Sequence, residues 1–329
     1  MKLATYQADL DLVSGETLTG ARLVYAVWGQ LNAARDNLIL FPTRFGGGHE
    51  QNAFLVGEDM ALDPRKYCIV TPNMLGNGVS SSPSNTAGAA GGSGFPVISH
   101  RDNIAFQRAM LAEVFGAPDI ALAVGWSMGA QQACRWAVEE PARVRRLLMI
   151  CGTARTTPHN RVFLESILAA LAADPEFGGP RAPLGGLRAV GRIYAGWAYS
   201  QPWIKRGGHR VLGFETVDDW LTDYWDALFK ARNADDIVAM VRTWIGADVA
   251  DGGVLGAALA RVTAKTLVTT ARTDLYFTPE DCAADAALIP GAAYRDIDTD
   301  WGHMCGAGQS PADTAVIDGM IREMLAEPA

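Results

Sequence analysis

The pentapeptide Gly-Trp-Ser-Met-Gly at residues 125–129 constrains the fold of this chain more than any other segment. It follows an apolar run at residues 120–124 that predicts a strand, and it precedes residues 130–138, which predict a helix. A serine at such a junction sits on a sharp turn, and glycines two positions before and after it leave room for the backbone. The segment therefore predicts Ser127 as a nucleophile exposed above a sheet, at the positive end of the following helix.

Short apolar runs rich in β-formers recur along the chain and predict a central sheet. The predicted strands are residues 22–28, 37–42, 67–72, 120–125, 146–151, 265–270 and 293–297. Several are nearly continuous hydrophobic runs, which suits strands buried on both faces of a parallel sheet. The later strands alternate with helical patterns and the early ones do not. We therefore expect an α/β-hydrolase fold, with a mostly parallel central sheet flanked by helices and an antiparallel start.

Residues 156–260 interrupt this alternation with helical patterns and a group of tryptophans and tyrosines. This stretch predicts an inserted helical lid over a pocket, carried by a core domain of residues 1–155 and 261–329. The alternative is a helical subdomain that packs its aromatic side chains into its own core.

A serine nucleophile needs a base to accept its proton, and that base needs an orienting acid. In the predicted fold, the acid follows the nucleophile in sequence and the histidine comes last. His303 is the last of five histidines and follows the final predicted strand, while Asp274 lies just past the strand at residues 265–270. The order predicts a Ser127–His303–Asp274 triad.

The oxyanion of an acyl-transfer intermediate needs backbone N–H donors, one of them from the residue after the nucleophile. That residue is Met128. The second donor is expected in the glycine-rich loop after an early strand, where Pro42 has no N–H and leaves Thr43 or Arg44. We take Thr43 as the first candidate.

Composition excludes several other functions. The formal net charge of −8 disfavours nucleic acid as a partner. The five cysteines form no Cys-x-x-Cys pair, so we expect neither a zinc site nor a disulfide framework. The glycine-rich stretch at residues 87–94 lacks a phosphate-loop pattern, and we expect no cofactor. Neither a signal peptide nor a run of about 18 apolar residues is found, which predicts a cytoplasmic protein without membrane contact.

Four segments together resemble the homoserine O-acetyltransferase family of α/β-hydrolases: residues 31–37 (LNAARDN), 73–78 (NMLGNG), 127–132 (SMGAQQ) and 274–280 (DLYFTPE). The resemblance implies a Ser-His-Asp triad, an acyl-enzyme intermediate, a helical lid and a homodimer formed through that lid. It also implies that Arg192 and Tyr199, seven residues apart, contact the substrate.

The loop at residues 77–84 (NGVSSSPS) resembles the esterase branch of this family, and two further segments depart from the acetyltransferase pattern. Trp126 precedes the serine where the acetyltransferases usually have glycine, and Met304-Cys305-Gly306 follows the histidine in place of Asp-Ala-Phe. We predict a serine hydrolase of small carboxylic esters, with Trp126 and Arg44 as further substrate contacts. The alternative is an O-acetyltransferase that uses acetyl-CoA and homoserine or a similar alcohol. A more remote alternative is a non-catalytic ligand-binding relative.

Overall fold

The computed structural model of the protein describes residues 1–326. Its centre is a single eight-stranded sheet with the order β1-β2-β4-β3-β5-β6-β7-β8. The strands are β1 (Lys2–Asp11), β2 (Thr17–Trp28), β3 (Leu38–Leu40), β4 (Cys68–Pro72), β5 (Ile120–Trp126), β6 (Arg146–Ile150), β7 (Lys265–Ala271) and β8 (Ala293–Ile297). The predicted α/β-hydrolase architecture with a mostly parallel sheet is confirmed.

The sheet starts antiparallel and continues parallel. β1 pairs with β2 and β2 pairs with β4 in antiparallel register, while every pairing from β4 to β8 is parallel. The central strands β3, β4 and β5 are buried at every position, as their continuous apolar sequences predict. Because β3, β4 and β5 run parallel, their carboxyl ends meet at one edge of the sheet, where ligands of open α/β sheets bind.

Eleven α-helices are found in residues 1–326. They are α1 (His100–Phe115), α2 (Met128–Glu139), α3 (Pro158–Ala172), α4 (Leu184–Ala198), α5 (Gln201–Lys205), α6 (Val217–Asp219), α7 (Ala227–Lys230), α8 (Ala234–Ile245), α9 (Leu255–Leu259), α10 (Pro279–Leu288) and α11 (Pro311–Ala326). A π-helical turn, Trp220–Asp226, joins α6 to α7. Helices α3 to α9 all lie between β6 and β7. No helix in this part of the chain is long and apolar enough to cross a membrane.

Strand β1 was not predicted from the sequence. Its side chains are mostly exposed or partly buried, and only Tyr6 and Leu10 are fully buried. An edge strand with so few buried positions carries a weak alternation signal, which explains the omission. The second difference is β3, which spans only three of the six residues predicted. The N–H groups of Phe41 and Thr43 still donate to β4, but Pro42 between them has no N–H to contribute.

Candidate active site

The strand–turn–helix at residues 120–139 holds Ser127 in a strained conformation. Ser127 has φ 59° and ψ −129°, a region that residues with side chains rarely adopt. A Cβ on Gly125 would lie 2.1 Å from the backbone of Gly129, and one on Gly129 would lie 2.7 Å from the Pro42 oxygen. Both glycines are thus sterically required, and they allow α2 to begin immediately after the serine.

Asp274 and His303 come together beside this turn. His303 Nδ1 lies 2.8 Å from Asp274 Oδ2, and because a carboxylate only accepts, the ring nitrogen is the donor. The other carboxylate oxygen accepts from the backbone N–H groups of Tyr276 and Phe277, at 2.7 and 3.1 Å. Asp274 is therefore fixed on three sides and in turn fixes the His303 tautomer with Nε2 free to act as a base.

His303 is buried between aromatic rings. Trp126 stacks on it with ring centroids 5.0 Å apart, and Tyr276 meets it edge-on at 4.7 Å. Burial by itself lowers the pKa of His303, but the Asp274 carboxylate outweighs burial and raises the pKa to about 9. The arrangement stabilises the imidazolium that forms when the histidine accepts a proton.

Trp126 and Gly306 are in direct contact. A Cβ on Gly306 would lie 2.5 Å from Cδ1 of the Trp126 indole. The two departures from the acetyltransferase pattern, before the serine and after the histidine, are therefore one packing feature: the large ring at position 126 requires a residue without a side chain at position 306.

The backbone amides near Ser127 differ in whether they already donate a hydrogen bond within the protein. The N–H of Thr43 donates to the Pro72 oxygen at 3.2 Å and is not free to bind an oxyanion. The next amide, that of Arg44, has no hydrogen-bond acceptor among residues 1–326. The Met128 amide lies in the first turn of α2, where N–H groups have no partner within the helix. Of these three amides, those of Met128 and Arg44 have no acceptor in the described part of the chain, which favours Arg44 over Thr43 as the second donor; the oxyanion hole itself stays a prediction.

Ser127 and His303 open onto a cavity of about 280 Å³. This volume is just below the ~300–1,000 Å³ typical of small-molecule sites. Aromatic side chains from the segment between β6 and β7 form much of its wall, among them Tyr194, Trp225 and Trp244. Other aromatic residues of the same segment, including Trp203 and Trp220, do not line this cavity.

Of the four predicted substrate-contacting residues, two line the cavity and two do not. Trp126 and Arg44 line it, with the Arg44 guanidinium carbon 4.5 Å from the Trp126 ring centroid. Arg192 instead pairs with Asp226 at 3.1 Å and is about half exposed. Tyr199 is fully buried, stacked on Trp203. Neither Arg192 nor Tyr199 is among the residues that line the cavity, and the substrate contact that the resemblance implied for them stays a prediction.

Two groups at the site were not predicted from the sequence. Arg232, from the turn before α8, lines the cavity and donates to the Gly46 oxygen. Cys151 directly follows β6, and its sulfur lies within 4.8 Å of ligand atoms of both Asp274 and His303. The position of Cys151 was predictable, because β6 lies between the strands that carry Ser127 and Asp274. Arg232 gave no such signal, since its contact spans 186 residues of sequence.

The Cys151, Asp274 and His303 side chains offer three donor atoms that a soft divalent ion could bind. Asp274 and His303 already bond to each other, so an ion there would compete with the histidine–aspartate pair. Burial raises the pKa of the Cys151 thiol, but hydrogen bonding to the Cys305 thiol, 3.5 Å away, and to His303 outweighs burial and lowers it to about 7.

Comparison with known proteins shows the family to which the chain belongs. The α/β-hydrolase fold family matches residues 36–181. An ethyl acetate hydrolase from Pseudomonas veronii is 35% identical over 328 residues, covering 97% of this chain and 94% of that protein. A homoserine O-acetyltransferase from Thermobifida fusca is 31% identical, covering 89% of this chain and 86% of that protein. The chain belongs to the homoserine O-acetyltransferase-like family of α/β-hydrolases.

Within this family, the chain is more similar to esterases than to the acetyltransferase. The solved structure of an acetylester hydrolase from Corynebacterium glutamicum superimposes with a TM-score of 0.95 at 36% identity, covering 99% of this chain and 96% of that one. The family resemblance inferred from the four sequence segments, and its esterase branch, are confirmed.

Proposed function

We propose that the protein is a carboxylic-ester hydrolase that acts through Ser127, His303 and Asp274. The observation that carries the proposal is that His303, bonded to Asp274, lines the same small cavity as Ser127. The ester-cleaving activity named for the relatives from Pseudomonas veronii and Corynebacterium glutamicum agrees with it. The cavity volume favours a small ester, and the insertion at residues 156–260 is proposed as the lid that covers it.

The proposed reaction has two halves. Ser127 Oγ attacks the ester carbonyl carbon while His303 Nε2 accepts the serine proton, and the amides of Met128 and Arg44 bind the oxyanion. Collapse of the tetrahedral intermediate breaks the bond to the alcohol oxygen, which leaves with the proton from His303. A water molecule then attacks the acyl-enzyme, giving one proton to His303. The serine recovers that proton as the carboxylic acid departs.

Acyl transfer to an alcohol such as homoserine is the second candidate, and its chemistry differs only in the final acceptor. The pairing of Arg192 with Asp226 counts against it, because that arginine is the residue expected to hold the carboxylate of an amino-acid acceptor. We further propose a homodimer formed through the lid. A reducing location such as the cytoplasm is favoured by five free, buried cysteines.

A turnover assay with the wild type and Ser127→Ala tests the proposal. One arm offers short-chain alkyl and aryl acetates, and the other offers acetyl-CoA with homoserine. We expect ester cleavage by the wild type and a loss of about 10⁴- to 10⁶-fold in Ser127→Ala. Acetyl transfer to homoserine without ester cleavage would instead establish the acetyltransferase, and cleavage unaffected by Ser127→Ala would refute the mechanism.

A further inference from the structure

Two arginines enter the cavity with no acidic partner. Arg44 and Arg232 both line it, and neither forms an ion pair with a carboxylate in residues 1–326. No aspartate or glutamate is among the residues that line the cavity. Asp274, beside the cavity residue His303, is already bonded to that histidine and to two backbone amides.

Each guanidinium has a nitrogen that is inaccessible to solvent and unpaired. Nη1 of Arg44 and Nε of Arg232 have no hydrogen-bond partner in the described chain. The Arg44 guanidinium lies over the face of Trp126. Arg232 lies over the Phe229 ring and donates through Nη1 to the Gly46 oxygen. Burying a charged donor without an acceptor is costly, so such groups are normally paired.

Two tyrosines lie beside these arginines in the cavity. Tyr194 and Tyr224 line the same cavity, and both lie close enough to the two arginines to influence their charge. The Tyr194 hydroxyl is buried and has no partner in the described residues. Burial, followed by repulsion from Arg232, lowers the pKa of Arg44 to about 10, which leaves it charged at neutral pH.

We propose that Arg44, Arg232 and the Tyr194 hydroxyl form an anion-recognition corner in the catalytic cavity, and that the preferred substrates are small esters carrying a carboxylate. This proposal rests on the proposed esterase function and names its substrate class. A carboxylate would accept hydrogen bonds from both guanidinium groups, whose fork geometry suits it. The corner lies in the same small cavity as Ser127, so one short substrate would reach both.

The test compares esters matched in length with and without a carboxylate. Monoethyl succinate against ethyl pentanoate places the charge on the acyl side, and 4-acetoxybutanoate against pentyl acetate places it on the alcohol side. We expect kcat/KM to favour the charged ester by about tenfold or more in at least one pair. Which pair shows the preference assigns the corner to the acyl or the alcohol subsite.

The readout for the variants is the ratio of kcat/KM for the charged and the neutral ester. Arg232→Met and Arg44→Met should each reduce this ratio by about tenfold. The matched control is Arg188→Met, which removes an exposed arginine of α4 outside the cavity and should leave the ratio unchanged. A purely structural role for the two arginines would change stability or overall rate without changing the ratio.

Serine-dependent cleavage of neutral esters with no preference for either charged partner would overturn this inference and leave the proposed esterase function intact. A preference that persists in both arginine variants would also overturn it. Absence of cleavage of every ester would instead refute the proposed function itself.

Discussion

Trp126 and Gly306 illustrate how single residues at this site depend on each other. The indole that stacks on His303 occupies the space that a side chain at position 306 would need. The effect of a substitution at one position on stability should therefore depend on the residue at the other, which a double-mutant cycle can measure.

We predict that Gly306→Ala lowers the free energy of unfolding by about 1–3 kcal/mol in the wild type, because overpacking forces the neighbouring ring to move. In a Trp126→Gly background the same substitution should cost much less. Denaturant unfolding of the four proteins measures the coupling. Equal costs of Gly306→Ala in both backgrounds would contradict the contact.

The raised pKa of His303 predicts a pH dependence of activity. The base must be neutral to accept the serine proton, so kcat/KM should rise with pH, with a midpoint above the ordinary histidine value and near 9. Asp274→Asn removes the charge that raises this pKa, and the midpoint should move down while kcat falls by about 10⁴-fold. Rate profiles from pH 5 to 10 give both midpoints. A wild-type midpoint at or below 6.5 would disprove the assignment.

The raised pKa of His303 also makes the stability of the folded protein depend on pH. Because the folded-state pKa of His303 lies above its unfolded value of about 6.5, its contribution to stability is complete below that pH. The contribution is lost as pH rises toward 9. Activity and this part of stability therefore change in opposite directions over the same interval.

At the scale of elements, helix α4 lies in the insertion, and two of its glycines face different surroundings. A Cβ on Gly196 would meet nothing within 4 Å, whereas one on Gly191 would lie 2.7 Å from the Trp225 oxygen. Gly191 thus permits close packing of α4 against the π-helical turn at Trp220–Asp226, and Gly196 has no such role.

We predict that Gly196→Ala stabilises the protein by about 0.5–1 kcal/mol, because alanine loses less backbone entropy in a helix. Gly191→Ala, the matched change in the same helix, should destabilise it. Thermal unfolding of the two variants beside the wild type checks the signs. Destabilisation by Gly196→Ala would mean that α4 has a partner on its exposed face.

For the whole molecule, the dimer inferred from the family resemblance predicts the mass of the particle in solution. Val162 and Val211 on the insertion are 66% and 65% exposed, so they can be substituted to test the proposed interface without disturbing the core. We expect sedimentation equilibrium to give about twice the chain mass of 35.1 kDa. Val162→Asp and Val211→Asp should weaken association if the insertion forms the interface. A monomer at all concentrations would exclude the dimer.

Local sequence predicted most of the sheet, the fold class and the three residues that meet at the site. Those predictions rest on strand periodicity, on the steric needs of the turn at Ser127 and on the order of acid and base along the chain. Features that depend on distant contacts were not predictable. The use of the Thr43 amide depends on the Pro72 oxygen, the pairing of Arg192 depends on Asp226, and the place of Arg232 depends on the loop at Gly46.

The long insertion between β6 and β7 has a consequence for synthesis of the chain on the ribosome. The nucleophile is made early, but β7, with Asp274 and His303 after it, follows more than a hundred residues later. Until β7 emerges, the apolar strand β6 has one unpaired edge, although its neighbour β5 is already in place. A nascent chain stalled within the insertion would present that edge to other chains. We therefore expect translation pauses in this interval to favour aggregation of the nascent chain.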